Sequence, residues 1–224
     1  PLVEGFVRVP LNDVGALEAV ARDRPGVVAV FLEVIQGEGG INPASIDYLR
    51  AVRKICDERG WLLMLDEVQC GLGRTGKWFA HQWAGIRPDV MPLAKGLGSG
   101  VPVGAVVCGP KAARVLGPGN HGTTFGGNPL AMAVGNAVLD IILADGFLAN
   151  VERMGGLLRA RLEDLVRRHP AVSHAGDRLQ RCVIQPVTAH ERQRTERQVG
   201  RAQQLVLLVE HLGRDELVGR AADV

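Results

Sequence analysis

The sequence predicts an α/β fold built on a mainly parallel sheet, and three observations carry that prediction. Short apolar runs of strand length alternate with segments of helical period up to about residue 147. Several of these runs are apolar at successive positions, as strands covered on both faces require. Glycine, proline and acidic residues bound them where strands and helices must end. With 224 residues and 46% apolar side chains, there is enough nonpolar surface for a buried core.

Four strands are expected, at residues 27–33, 62–66, 90–93 and 104–108. Helices fit between and after them. Pro43, Ala44 and Ser45 open one, with Ile46, Leu49, Val52, Arg53 and Ile55 at helical spacing before Gly60 ends it. A second begins near Asn128 and Pro129 and carries Leu130, Ala133, Val134, Ala137, Val138 and Ile141 on adjoining turns. A third is expected over residues 148–168, stopping at Pro170. Beyond Val172 the texture changes, with no aromatic residue after Phe147, no lysine after Lys111, and an Arg- and Gln-rich stretch at 190–204 lacking an apolar stripe. Residues 205–212 suit a short helix or strand with no evident partner.

The charge balance excludes some functions. A formal charge of +2 is too weak for a nucleic-acid footprint, although its distribution is uneven, −1 over residues 1–147 and +3 over 148–224. The absence of a bilayer-length apolar stretch and of a basic-then-apolar leader leads to the expectation of a soluble protein without a membrane partner. A start at Pro1 suggests a processed or partial chain. Cys56, Cys70, Cys108 and Cys182 are widely spaced, which disfavours a zinc knuckle or a disulfide framework and fits a reducing cytoplasm. The histidines are dispersed without metal-ligand spacing, so no metal is expected.

Two residues carry the chemistry. Lys95 lies in a glycine-rich turn, followed by Gly96, Gly98 and Gly100, and Asp66 ends an apolar run upstream of it. Either feature alone is ordinary, a solvated lysine or a loop carboxylate. Together, in this order, they suit pyridoxal phosphate: an amine to hold the aldehyde, and a carboxylate to keep the pyridine nitrogen protonated so that the ring accepts electrons from the substrate carbon. An adjacent carboxylate raises such a nitrogen's pKa by about 1 to 3 units. The freed lysine amine then serves as general base and acid.

Five ordered motifs extend this reading: Glu33-Val34-Ile35-Gln36-Gly37-Glu38-Gly39-Gly40; Leu65-Asp66-Glu67-Val68-Gln69; Gly73-Arg74-Thr75-Gly76; Lys95-Gly96; and His121-Gly122-Thr123-Thr124-Phe125-Gly126-Gly127-Asn128-Pro129-Leu130. They resemble the class III aminotransferases, and within them the acetylornithine type, from about residue 5 to 172. The resemblance implies the fold type I of pyridoxal-phosphate-dependent transferases, as a homodimer with active sites shared across the subunit interface. It implies Lys95 as the catalytic lysine, with Asp66, Glu67, Val68 and Gln69 at the cofactor, Asp66 on the pyridine nitrogen and Gln69 toward the phenolic oxygen. Thr124 would donate to the phosphate of the neighbouring subunit's cofactor, and Thr123 would lie beside the substrate. Glu38 matches a position that pairs with an arginine in ornithine-type enzymes, switching between amino donor and 2-oxoglutarate. The implied reaction moves the terminal amine of N2-acetylornithine to 2-oxoglutarate, a step of arginine biosynthesis.

The implied organisation is a partial cofactor-binding large domain over 1–147, a helix leading to the small domain over 148–172, and a poorly matching tail over 173–224, read as divergent or frame-shifted. The family's phosphate-binding loop, ring-stacking aromatic and carboxylate-binding arginine are expected upstream of Pro1. Val34 replaces the family's usual proline, with little expected consequence. Two rivals stand beside this reading. One is a truncated chain that folds, dimerises and holds pyridoxal phosphate without transaminating. The other is a nucleotide-binding P-loop, because Gly71, Gly76 and Lys77 have the required spacing, although Trp78 occupies the position that needs a hydroxyl.

Overall fold

The helix expected after Pro43 shows how local chemistry sets the frame. Ser45 caps it by accepting the Tyr48 N–H at 3.1 Å, and Gly60 closes it in the left-handed region at φ 70°, donating to Cys56 and Asp57 carbonyls. One face of this helix, with Tyr48, Leu49, Val52, Ile55 and Cys56, is buried. On its flank, Arg53 donates to Asp89 Oδ2 at 2.9 Å, and the same oxygen accepts the Leu63 N–H at 2.8 Å, tying helix to sheet.

The structure is a computed structural model that describes residues 4–169 and the strand Gln204–Val209. In chain order its strands are β1 (Phe6–Pro10), β2 (Val27–Glu33), β3 (Ile35–Gln36), β4 (Asn42–Pro43), β5 (Leu62–Asp66), β6 (Val90–Leu93), β7 (Ala105–Cys108) and β8 (Gln204–Val209). The helices are α1 (Val14–Asp23), α2 (Ile46–Arg59), α3 (Pro110–Ala113), α4 (Pro129–Leu143) and α5 (Phe147–Arg168). Six strands form one sheet in the order β1-β8-β2-β5-β6-β7, and β3 with β4 forms a small hairpin.

The centre of the sheet is parallel. β2 pairs with β5 from Ala29 opposite Leu62 to Glu33 opposite Asp66, and β5 pairs in parallel with β6. Its flanks are antiparallel, β7 against β6 on one side and β8 between β1 and β2 on the other. The strand β8 therefore has two partners that its own sequence did not disclose. Pro170, Cys182 and the Arg- and Gln-rich stretch at 190–203 lie outside the described residues.

The α/β expectation holds, and its boundaries hold closely. Three strands coincide with the expected ranges, the fourth begins one residue later, and α5 begins at Phe147 rather than 148. The core lies between the parallel strands and α1 and α2, where Leu17, Val30, Val34, Val52, Leu63 and Leu65 are at most 1% exposed. Val34, in the usual proline position, is fully buried and its carbonyl accepts the Ala44 N–H at 2.9 Å. Strand β7 is the opposite case: Val106 and Val107 are exposed, as are Leu130 and Ile141 on α4. Among the described residues no single helix is long and apolar enough to cross a membrane.

Candidate active site

Glu33, Asp66 and Lys95 gather at the carboxyl ends of the parallel strands, the edge where open α/β sheets place their ligands. Glu33 and Asp66 end β2 and β5 in register with one another. Lys95 follows β6 by two residues, at the start of a short turn in which the Gly98 N–H donates to the Lys95 carbonyl at 3.1 Å. Its φ is 46°, a region that costs a residue with a Cβ on the order of 1–3 kcal/mol. Such strain collects where a side chain must be aimed, and Lys95 is exposed rather than packed. Gly98 permits the turn to close, since any Cβ there would overlap the Val101 carbonyl.

The half-buried Asp66 accepts the Val68 N–H on Oδ1 at 2.8 Å, and among the described residues no hydrogen bond occupies its other oxygen. The next residue behaves differently. Glu67 is 0% exposed, and its carboxylate accepts the Ala80 and His81 backbone N–H groups and His81 Nδ1, each at 2.9 Å, and the Cys70 thiol at 3.2 Å. Glu67 was expected at the cofactor. Its carboxylate instead buttresses the loop behind the site, because four donors and complete burial leave it no open face. Its backbone N–H donates to the Pro92 carbonyl at 3.3 Å, linking the end of β5 to the strand that leads to Lys95.

Gln69 and Glu38 meet across the cleft, the Gln69 amide donating to Glu38 Oε1 at 3.5 Å. Gly37 lies flat against that amide, and a Cβ at Gly37 would overlap it. The Gly37 N–H in turn donates to Glu33 Oε2 at 3.0 Å. Burial is the largest cause that raises Glu33 above the ordinary carboxylate value; Asp66 and Glu38 add to it, while the Gly37 hydrogen bond and Lys95 oppose it. Sequence reasoning had given Glu33, Gly37 and His81 no role, and the signal available for the first two was their place in the motif that contains Glu38.

Val68 is half-buried in the turn after Asp66. Thr123 and Thr124 are exposed in the loop before α4, where Thr123 Oγ1 accepts the Gly126 N–H at 3.3 Å. His121 is exposed in the same loop, and Trp61 belongs to the core. The P-loop reading fails on geometry. The Gly71, Gly73, Arg74 and Gly76 N–H groups donate to backbone carbonyls, and Lys77 sits 5.1 Å from the Trp83 ring, so neither amides nor lysine converge on a phosphate.

Glu33, Asp66 and the strained, exposed Lys95 thus share one edge of the parallel strands in an α/β protein. Comparison with known proteins makes the class specific. Residues 8–215 match the family Aminotransferase class-III, and the chain belongs to that family. The match continues past Val172, where the motif resemblance was expected to stop. Acetylornithine aminotransferase 1 of Bordetella parapertussis is 60% identical over 162 residues, covering 72% of this chain and 41% of that protein. Acetylornithine aminotransferase of Brucella melitensis is 55% identical over 172 residues, covering 77% and 42%. The chain thus spans less than half the length of these relatives. Among solved structures, acetylornithine aminotransferase from Elizabethkingia anophelis matches with a TM-score of 0.75 at 29% identity, covering 99% of this chain and 59% of that one. Ornithine aminotransferase from Toxoplasma gondii, described with partial occupancy of PLP at its active site, matches with a TM-score of 0.73 at 39% identity, covering 78% and 41%.

Proposed function

We propose that this chain is the Lys95-bearing part of a pyridoxal-phosphate-dependent aminotransferase that moves the terminal amine of N2-acetylornithine to 2-oxoglutarate. The observation that carries the reading is the pairing of a strained, exposed Lys95 with a half-free Asp66 at one sheet edge. The residues fit the cofactor: an amine for its aldehyde, a carboxylate oxygen with no hydrogen bond among the described residues for its ring nitrogen, and the Gln69 amide for its phenolic oxygen. When bound, the cofactor supplies an electron sink for the substrate carbon.

The protein's own part is positional and acid–base. Lys95 holds the cofactor and, once released, carries a proton to and from the substrate carbon. Asp66 keeps a positive charge at the ring nitrogen. Gln69 and Glu38, joined by their hydrogen bond, border the substrate side, with Glu38 orienting the donor or the 2-oxoglutarate carboxylate. Thr123 and Thr124, both exposed, are available to a second subunit, Thr124 to its phosphate. The exposed Val106, Val107 and Leu130, with Phe125 at 81% exposure, support a homodimer, since apolar groups in such number favour a covered surface. We assign residues 1–147 to the cofactor-binding large domain and 148–172 to the helix leading to a small domain, with 173–224 beyond it.

The test is spectral and chemical. The chain is mixed with pyridoxal phosphate, its visible band recorded, the adduct reduced with borohydride and the labelled peptide mapped. A label on Lys95, lost in Lys95→Ala, is the expected result, and turnover of acetylornithine with 2-oxoglutarate over that of ornithine fixes the donor. A reducible adduct that persists in Lys95→Ala refutes the assignment.

A further inference from the structure

We propose that Glu33 is a positioning residue for the Lys95 and Asp66 site, holding the turn at Gly37 and Glu38 against Gln69 through one hydrogen bond. The inference rests on the reading of Lys95 as the cofactor-bearing lysine. It gives work to a carboxylate that the mechanism above leaves unused.

The tether comes from geometry. Glu33 ends β2 and its Oε2 accepts the Gly37 N–H at 3.0 Å, closing the chain back on itself over four residues. Gly37 fits against the Gln69 amide so closely that a methyl group there would overlap it, and that amide also donates to Glu38. Releasing the Gly37 N–H therefore frees both Glu38 and the surface against which Gln69 is packed. One carboxylate fixes two side chains that face the reacting region.

The charged surroundings of Glu33 come from register. Glu33 stands opposite Asp66 on the adjacent parallel strand, so two carboxylates finish neighbouring strands at one edge. Three charged groups act on Glu33: Asp66 from β5, Lys95 from the turn after β6, and Glu38 from its own turn. Lys95 and the Gly37 N–H both favour the ionised Glu33 carboxylate, the stronger acceptor for the tether. Half-burial limits the solvent screening that cancels such effects on an open surface.

Two substitutions test the tether. Glu33→Gln keeps an oxygen that can accept the Gly37 N–H and removes the charge; Glu33→Ala removes both. In the cofactor-free chain, trace acetylation with acetic anhydride under mildly alkaline conditions is mapped at Lys54, Lys77, Lys95 and Lys111, the last lysine in the sequence. Glu33→Gln and Glu33→Ala should both leave the labelling of Lys54, Lys77 and Lys111 unchanged, which shows that the fold around the site is kept. On titration with pyridoxal phosphate, Glu33→Ala should bind about five- to tenfold more weakly than Glu33→Gln, the change expected from losing one neutral hydrogen-bond acceptor. Equal cofactor affinity of the two variants, with that labelling unchanged, overturns the tether. Failure of the unsubstituted chain to form a Lys95 adduct overturns the proposed function instead, and it is read separately because acetylation needs no cofactor.

Discussion

Truncation of the fully buried Glu67 should be among the most damaging single changes in the described residues. Glu67→Ala strips acceptors from the Ala80 and His81 backbone N–H groups and from His81 Nδ1, all bonded at 2.9 Å, and from the Cys70 thiol at 3.2 Å. The side chain is 0% exposed and His81 only 7%, so water cannot readily replace what is lost. Each buried donor left unpaired costs about 1–3 kcal/mol, and the two backbone N–H groups cannot rotate away. The two backbone groups together come to about 2–6 kcal/mol, a large share of the roughly 5–15 kcal/mol that holds a domain together. Glu67→Gln preserves volume and one acceptor but turns an amide N–H toward other donors, for an expected loss of about 1.5–3 kcal/mol. The assay is urea unfolding, read as the change in midpoint at constant slope. His81→Ala should cost less than Glu67→Ala, because Glu67 keeps its backbone donors, and the double variant should fall short of the sum of the two single losses. A Glu67→Ala loss below about 0.5 kcal/mol, the range of ordinary surface substitutions, would refute the buttress.

Other expectations follow from the same contacts. Gly37→Ala should leave stability within about 1 kcal/mol, since the amide it displaces ends a flexible side chain, yet weaken pyridoxal phosphate binding by moving Gln69; a titration of the visible band measures this. Burial pushes the Cys56 thiol up to about 12 and raises Cys70 further, with Glu67 adding to its shift, so iodoacetamide should alkylate the half-exposed Cys108 of the native chain before either of them. Glu33 carries a pKa raised above 4.5, so the folded state binds its proton more tightly than the unfolded one. The stabilisation from that proton is complete below the ordinary value and is lost as pH rises through the raised one. Urea midpoints of Glu33→Gln against the unsubstituted chain should therefore diverge in the variant's favour across that interval, and a constant difference would contradict the shift.

Much of the frame was legible because its signals are local. The strands at 27–33, 62–66 and 90–93 are continuous apolar runs ended by Gly, Pro or acidic residues, and α2 and α4 carry their own caps, Ser45 and Asn128. The segment before residue 27 received no assignment, although Asp13 caps α1 by accepting the Ala16 N–H at 2.8 Å; a helix of 10 residues with only Leu17 and Ala21 buried has a weak apolar stripe. The proposed pairing of Lys95 with Asp66 was suggested by the order of a strand, a carboxylate and a glycine-flanked lysine, and the structure sets both at one sheet edge.

What the sequence determined by itself is the strands β2, β5, β6 and β7, the helices α2, α4 and α5, and the family to which the motifs belong, since these are written in near neighbours along the chain. Tertiary structure alone decided that Glu67 is buried among four donors while the adjacent Asp66 stays half-exposed, that β8 fits between β1 and β2, and that Glu33, Gly37, Gln69 and Glu38 form one connected group. Those outcomes depend on register between distant strands and on burial. A one-residue difference in strand phase sends one carboxylate toward solvent and ligand and the next into the protein, where it must find donors of its own.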